Sequence, residues 1–144
     1  MRVDFYQLGR DPAEHVVPLI ARAARQQGER LLLVSADDAQ RGRIASALWE
    51  RADAFLAHGS AGEKHAVRQP ILLSDGCAAE NGAKLVAFAD GLWRDEGFGF
   101  ERAFLLFPEA AIERARACWR MLGEREDIER RFWKHEGDKW VEGP

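Results

Sequence analysis

The sequence predicts an open α/β fold in three layers: a mostly parallel sheet of about five strands with helices on both faces. Three observations carry this. The runs RLLLVS (30–35), QPILLS (69–74), KLVAFA (84–89) and AFLLF (103–107) are short and apolar, as expected of strands buried on both faces. Helical stretches with N-terminal capping signals alternate with the first of these strands, and that alternation builds parallel sheets. Finally, 144 residues, 47% hydrophobic and 31% charged, suit one globular domain. Residues 1–144 are therefore read as one domain, with an aromatic and basic tail from about 125 to 144.

Taken in order, Val3 to Leu8 alternates like a strand. Asp11 suits a helix N-cap, Pro12 the first helical position, and Glu14 the position that reaches back to the cap. Val16, Val17, Ile20, Ala23, Ala24 and Gln27 keep a helical period until Gly28 stops it. Pro18 falls inside that period and predicts a kink or a later start. Asp37 caps a second helix, with Gln40 at capping-box spacing, and Ile44, Ala45, Leu48 and Trp49 form its inner face. The links after 69–74 and 84–89 leave room for little more than a helical turn. A last helix runs from about Glu109 to about Glu124. Ala111, Ala115, Cys118 and Leu122 fall on one stripe of it, the expected core face.

Several function classes are disfavoured. The net charge of −3 offers no basic field for nucleic acid or an anionic membrane. No apolar run approaches the ~18 residues of a membrane span. Cys77 and Cys118 lack a CxxC partner and read as reduced, buried hydrophobes of a cytosolic chain. The fold class is Rossmann-like, yet Leu8-Gly9-Arg10-Asp11 replaces the GxGxxG turn, and the Asp11 carboxylate would repel a phosphate. There is no GxxxxGK[ST] and no GxSxG. His15, His58, His65 and His135 lack zinc spacing, so no metal and no cofactor is expected. Ser60 has no acid placed to orient a base. No catalytic set emerges, and a non-catalytic protein is expected. The alternative is a small α/β nucleotide-binding protein or enzyme with a pocket at the carboxyl ends of the strands.

Three stretches are chemically odd. In ALWERADAFLAHGSAGE (47–63), Trp49, Phe55, Leu56 and His58 run into a glycine-rich loop, which suits a docking edge better than a phosphate cradle. On the last helix, Ile112, Arg116, Trp119 and Arg120 form a second stripe. It is either a shallow pocket for an apolar side chain with guanidinium groups for carboxylates, or a tryptophan packed under the tail with arginines paired to Glu113 or Glu124. In the tail, RRFWKHEGDKW (130–140) interleaves aromatic and basic residues that could stack on single-stranded bases. Residues 112–139 carry a net charge of only +1, a poor electrostatic funnel. A hairpin or strand around Gly137-Asp138, docked on the domain, is the expected role.

Together these pieces resemble the chi subunit of bacterial DNA polymerase III holoenzyme. The resemblance rests on VDFY (3–6), ALW (47–49) followed by FLAHGSAGE (55–63), PILL (70–73), RACWR (116–120) and the RFWKHEGDKW tail (131–140). It implies a clamp-loader accessory protein, cytoplasmic and associated with the replisome at the nucleoid. One surface would dock the psi subunit through Trp49, Phe55, Leu56 and His58. Another would hold the acidic C-terminal peptide of single-stranded-DNA-binding protein through Arg116, Trp119 and Arg120, with Phe107 as apolar wall. Nucleic acid would be met only indirectly.

Overall fold

A computed structural model of the chain describes residues 1–50, 56–136 and 139–143. In chain order its elements are β1 (Arg2–Leu8), α1 (Ala13–Gln26), β2 (Leu31–Val34), α2 (Asp38–Trp49), β3 (His58–Ser60), β4 (Ile71–Ser74), β5 (Leu85–Phe88), β6 (Arg102–Pro108), α3 (Ile112–Gly123), β7 (Glu129–Glu136) and β8 (Lys139–Glu142). The strands form one eight-stranded sheet in the order β3-β4-β2-β5-β6-β1-β7-β8. Every neighbouring pair is parallel except β7 and β8.

The three layers follow from the two-residue period of the strands. In β2, Leu31 and Leu33 join the core under α1 and α2, while Leu32 and Val34 join the core under α3. Both residue sets are apolar because both faces are covered, which is why the strands read as unbroken apolar runs. Each fully buried Leu or Ile adds about 1.5–3 kcal/mol of transfer free energy. The helices lie where the patterns put them. Val16, Val17, Ile20 and Ala24 of α1 and Ile44 and Leu48 of α2 face one side of the sheet; Ala115, Cys118 and Leu122 of α3 face the other.

The sheet is wider than the apolar runs alone indicate. His58–Ser60 is a short edge strand rather than a loop, paired in parallel with β4. A Cβ on Gly59 would come within 2.8 Å of the Gln69 side chain, so that glycine serves close packing rather than phosphate binding. At the other edge the aromatic tail forms the antiparallel β7–β8 pair, and β7 runs parallel to β1. The Gly137-Asp138 turn lies outside the described residues. Two capping details also differ from expectation. Pro12, not Asp11, is the N-cap residue of α1, and the helix passes through Pro18. Asp37 caps α2 by accepting from the amides of Ala39 and Gln40. Gln40, however, spends its side chain on Ser35 and on the Ala89 carbonyl, tying α2 to two strand ends instead of closing a capping box.

One buried charge fixes the sheet's wider edge. Asp4 on β1 is 0% exposed. Its carboxylate accepts from Arg2, from Arg102 Nε at 2.8 Å, and from the Trp133 indole N–H at 3.1 Å. Charge-assisted bonds of this kind make a buried carboxylate tolerable. They also bind β6, β1 and β7 into one unit.

Candidate partner-binding sites

Trp49 ends α2 with 74% of its surface exposed, so it does not belong to that helix's inner face as its spacing suggested. The correction has a geometric cause: Ile44 and Leu48 already fill the inward stripe, and the next residue turns about 100° away from it. His58 meets the Trp49 ring edge-on, with centroids 5.3 Å apart. Its Nδ1 lies 2.9 Å from the Leu56 carbonyl. A carbonyl only accepts, so Nδ1 carries the proton and the ring is locked in place. Leu56 itself is 6% exposed and packs in the α1/α2 core, where it anchors the loop rather than presenting a contact surface. Phe55 lies outside the described residues.

On the opposite face of the sheet, Trp119 is half-buried. Its ring packs edge-on against Phe5 at 5.3 Å and Phe132 at 5.8 Å. The Arg130 guanidinium lies over it, 4.3 Å from the centroid, and donates to the Trp119 carbonyl at 2.6 Å. The tail does pack on Trp119, through β7, as the second reading of this stripe expected. Arg116 is exposed and pairs with Glu113 at 3.0 Å. Arg120 is exposed and has no ion-pair partner among the described residues. Phe107 is 0% exposed and sits behind Phe132, at 5.7 Å. A pocket wall must be reachable, so Phe107 supports the site from beneath and does not line it. The strand period explains this, since odd-numbered residues of β6 all turn inward under α3.

Arg130 is the residue the spacing did not single out. The signal lay in β-pairing rather than helical period: β7 lies in register with β1, which sets Phe132 beside Phe5. Arg130, two residues before it, points to the same face and reaches α3.

The carboxyl-end crevice expected of a nucleotide-binding protein exists, at about 470 Å³. It is lined by Asp11, Glu14, Asp37 and Asp90, and its acids are engaged with the fold. Glu14 pairs with Arg43, Asp37 caps α2, and Asp11 faces His135. Burial alone would raise the Asp90 carboxyl, but the Arg94 guanidinium and the amides of Ala36 and Leu92 outweigh it and hold the group below its ordinary value. Four carboxylates against the two guanidinium groups of Arg10 and Arg43 leave this end net negative, which disfavours a phosphate. His58 is not in this crevice. Among the described residues no group of three His, Cys, Asp or Glu is placed to hold a metal ion. Burial pushes the Cys118 thiol up to about 12, so it is not poised as a nucleophile. Among them, too, no helix is long and apolar enough to cross a membrane.

No curated protein matches the chain. The family described as DNA polymerase III chi subunit, HolC, matches residues 1–129, from β1 to the first residue of β7. With an α/β sheet in place, and with aromatic side chains presented on both of its faces, the chain belongs to the DNA polymerase III chi subunit family and so to the accessory proteins of bacterial replication.

Proposed function

We propose that this chain is a non-catalytic adaptor of the DNA polymerase III holoenzyme, bridging the clamp loader to the acidic C-terminal tail of single-stranded-DNA-binding protein. The observation that carries the reading is the placement of two tryptophan sites on opposite faces of one sheet, Trp49 with α2 and Trp119 with α3. A bridge needs two surfaces that can be occupied at once, and a sheet between them keeps them apart.

The Trp49/His58 edge is the docking surface for the psi subunit or an equivalent clamp-loader surface, with Leu56 anchoring it from below; the family resemblance adds Phe55 to that set. An exposed aromatic of this size is the residue type that dominates binding energy at interfaces. The α3 surface takes the peptide tail. Trp119 offers an aromatic edge to a terminal phenylalanine, while Arg116 and Arg120 supply charge to its carboxylate and acidic side chains. Phe107 backs that wall. DNA is contacted only through the protein that coats it, and the protein works in the cytoplasm, at the replisome on the nucleoid.

The test is fluorescence anisotropy of a labelled acidic peptide ending in Pro-Phe-carboxylate. Wild type should bind in the micromolar range, about −8 kcal/mol. Trp119→Ala and Arg120→Ala should each weaken binding, and added salt should weaken it further because the arginines lie at the surface. Binding that survives both substitutions would move the site elsewhere. No binding at low salt would overturn the tail-peptide reading altogether.

A further inference from the structure

Between the C-terminal half of α1 and the amino ends of β5 and β6 is a half-open cavity of about 210 Å³. Its walls are apolar: Leu19, Ile20 and Ala23 from α1, Leu85 and Phe104 from the sheet, and Trp140 from β8. It lies at the end of the strands opposite the crevice where open α/β sheets usually bind ligands. Leu19 stands at its rim with 46% of its surface exposed. Trp140 stacks on His135 at 4.7 Å and meets Tyr6 edge-on at 5.0 Å. It lies beyond the residues that match the family, so this wall is supplied by a part of the chain outside that match.

The polar groups that line the cavity can all donate hydrogen bonds. Arg102 uses Nε on Asp4 and lies over the Phe104 ring at 4.6 Å. Its two terminal nitrogens have no partner among the described residues. The Tyr6 hydroxyl likewise has no hydrogen-bond partner among them. Burial, and then the nearby Asp4 carboxylate, raise the Tyr6 hydroxyl above its ordinary value, so it stays protonated at neutral pH. The Gln27 side chain completes the lining.

From this geometry we infer that the cavity is a binding site for a small carboxylate with a one-ring or branched apolar body. The apolar cup takes the body, and Arg102 and Tyr6 take the carboxylate. Charge complementarity chooses the head group, because arginine donates and never accepts. Size limits the body: drug-sized ligands fill roughly 300–1,000 Å³, so a nucleotide is too large. The same chemistry is offered by a free aryl or alkyl acid and by the last residue of a peptide chain. The proposal is independent of the Trp49 and Trp119 sites, neither of which touches this cavity.

The experiment is a titration of the isotope-labelled full chain, following the Trp140 indole N–H and the Leu19 and Ala23 amides by NMR. The probes are 3-phenylpropionate, its uncharged counterpart 3-phenylpropanol, and N-acetyl-Ala-Ala-Phe with a free carboxylate. The acid should saturate these signals at about tenfold lower concentration than the alcohol, the effect of one charge-assisted hydrogen bond. Ala23→Leu fills the cup at an exposed helical position that tolerates leucine, and should abolish the shifts with the fold intact. Arg102→Gln should erase the preference for acid over alcohol while the alcohol still binds. A tripeptide that saturates earlier than the free acid assigns the site to chain ends, and one that saturates later assigns it to free small acids. Equal response to acid and alcohol, shifts that persist in Ala23→Leu, or no shifts at all would overturn the proposal.

Discussion

Trp49 and Trp119 are the same residue on two helices of one sheet, and the fold treats them differently. Trp49 is largely in water, with a histidine ring at its edge. Trp119 is shared between surface and core, braced by Phe5, Phe132 and Arg130. The contrast separates two ways of making a binding site. On the function proposed above, the α2 aromatic contributes little to folding and is held out for a partner. At α3 the proposed site is built from the edge of the core, so on that reading stability and binding depend on the same ring. The second arrangement is preorganised, because a braced side chain loses little freedom when a ligand arrives.

The largest expected effect comes from the charge that holds the braced side together. Asp4→Asn leaves Arg2, Arg102 and the Trp133 indole facing a neutral amide. Removing one partner of a fully buried ion pair costs about 3–5 kcal/mol, and the partial exposure of both arginines reduces this to roughly 2–3 kcal/mol. Urea unfolding should register that loss. Hydrogen exchange should rise first in β7 and β8 and leave α2 and β3 protected. Uniform loss of protection across the sheet would mean that Asp4 does not specifically secure the hairpin.

Next is the direct comparison of the two tryptophans. Trp119→Ala should cost about 2–3 kcal/mol, below the ~3–5 kcal/mol of a fully buried Trp because the ring is half-exposed. It should weaken the tail peptide in the same protein. Trp49→Ala should leave stability within ~0.5 kcal/mol of wild type, yet cost about 2 kcal/mol or more in capture of the clamp-loader partner, as an interface hot spot does. Equal destabilisation by the two substitutions would erase the distinction between a spare aromatic and a braced one.

Much of this was legible in the chain. Runs such as LLLV at 31–34 give the sheet away because both faces are covered, and the Ala115, Cys118, Leu122 stripe places α3 on it. The oddness of ALW followed by AHGSAGE was visible too. What was not legible depended on pairing across the sheet. His58–Ser60 is too short and glycine-rich to announce an edge strand, and it forms only because β4 offers a partner. Helical spacing left Trp119 either free or packed under the tail, and the choice rests on β7, whose covering residues lie more than ten positions away in sequence. Phe107 sat in a run apolar on both faces, where sequence does not say which side chains stop short of the surface.

The smallest substitution tests whether the brace over Trp119 is part of the site or a cover on it. A Cβ on Gly123 would lie 2.5 Å from Arg130 Nη1 and 2.8 Å from Cζ. Those atoms are the far end of a flexible side chain, so in Gly123→Ala the guanidinium should move and the helix should not. Alanine is favoured over glycine in a helix by up to ~1 kcal/mol, which offsets the lost hydrogen bond to the Trp119 carbonyl. Stability should therefore change by less than ~0.5 kcal/mol, while the fluorescence of Trp119 shifts as its cation leaves. Affinity for the acidic peptide should fall severalfold, because Arg130 adds positive charge where Arg116 is already engaged by Glu113. Tighter binding instead would show that Arg130 shields the ring, and would leave Arg120 as the principal cation of the α3 surface.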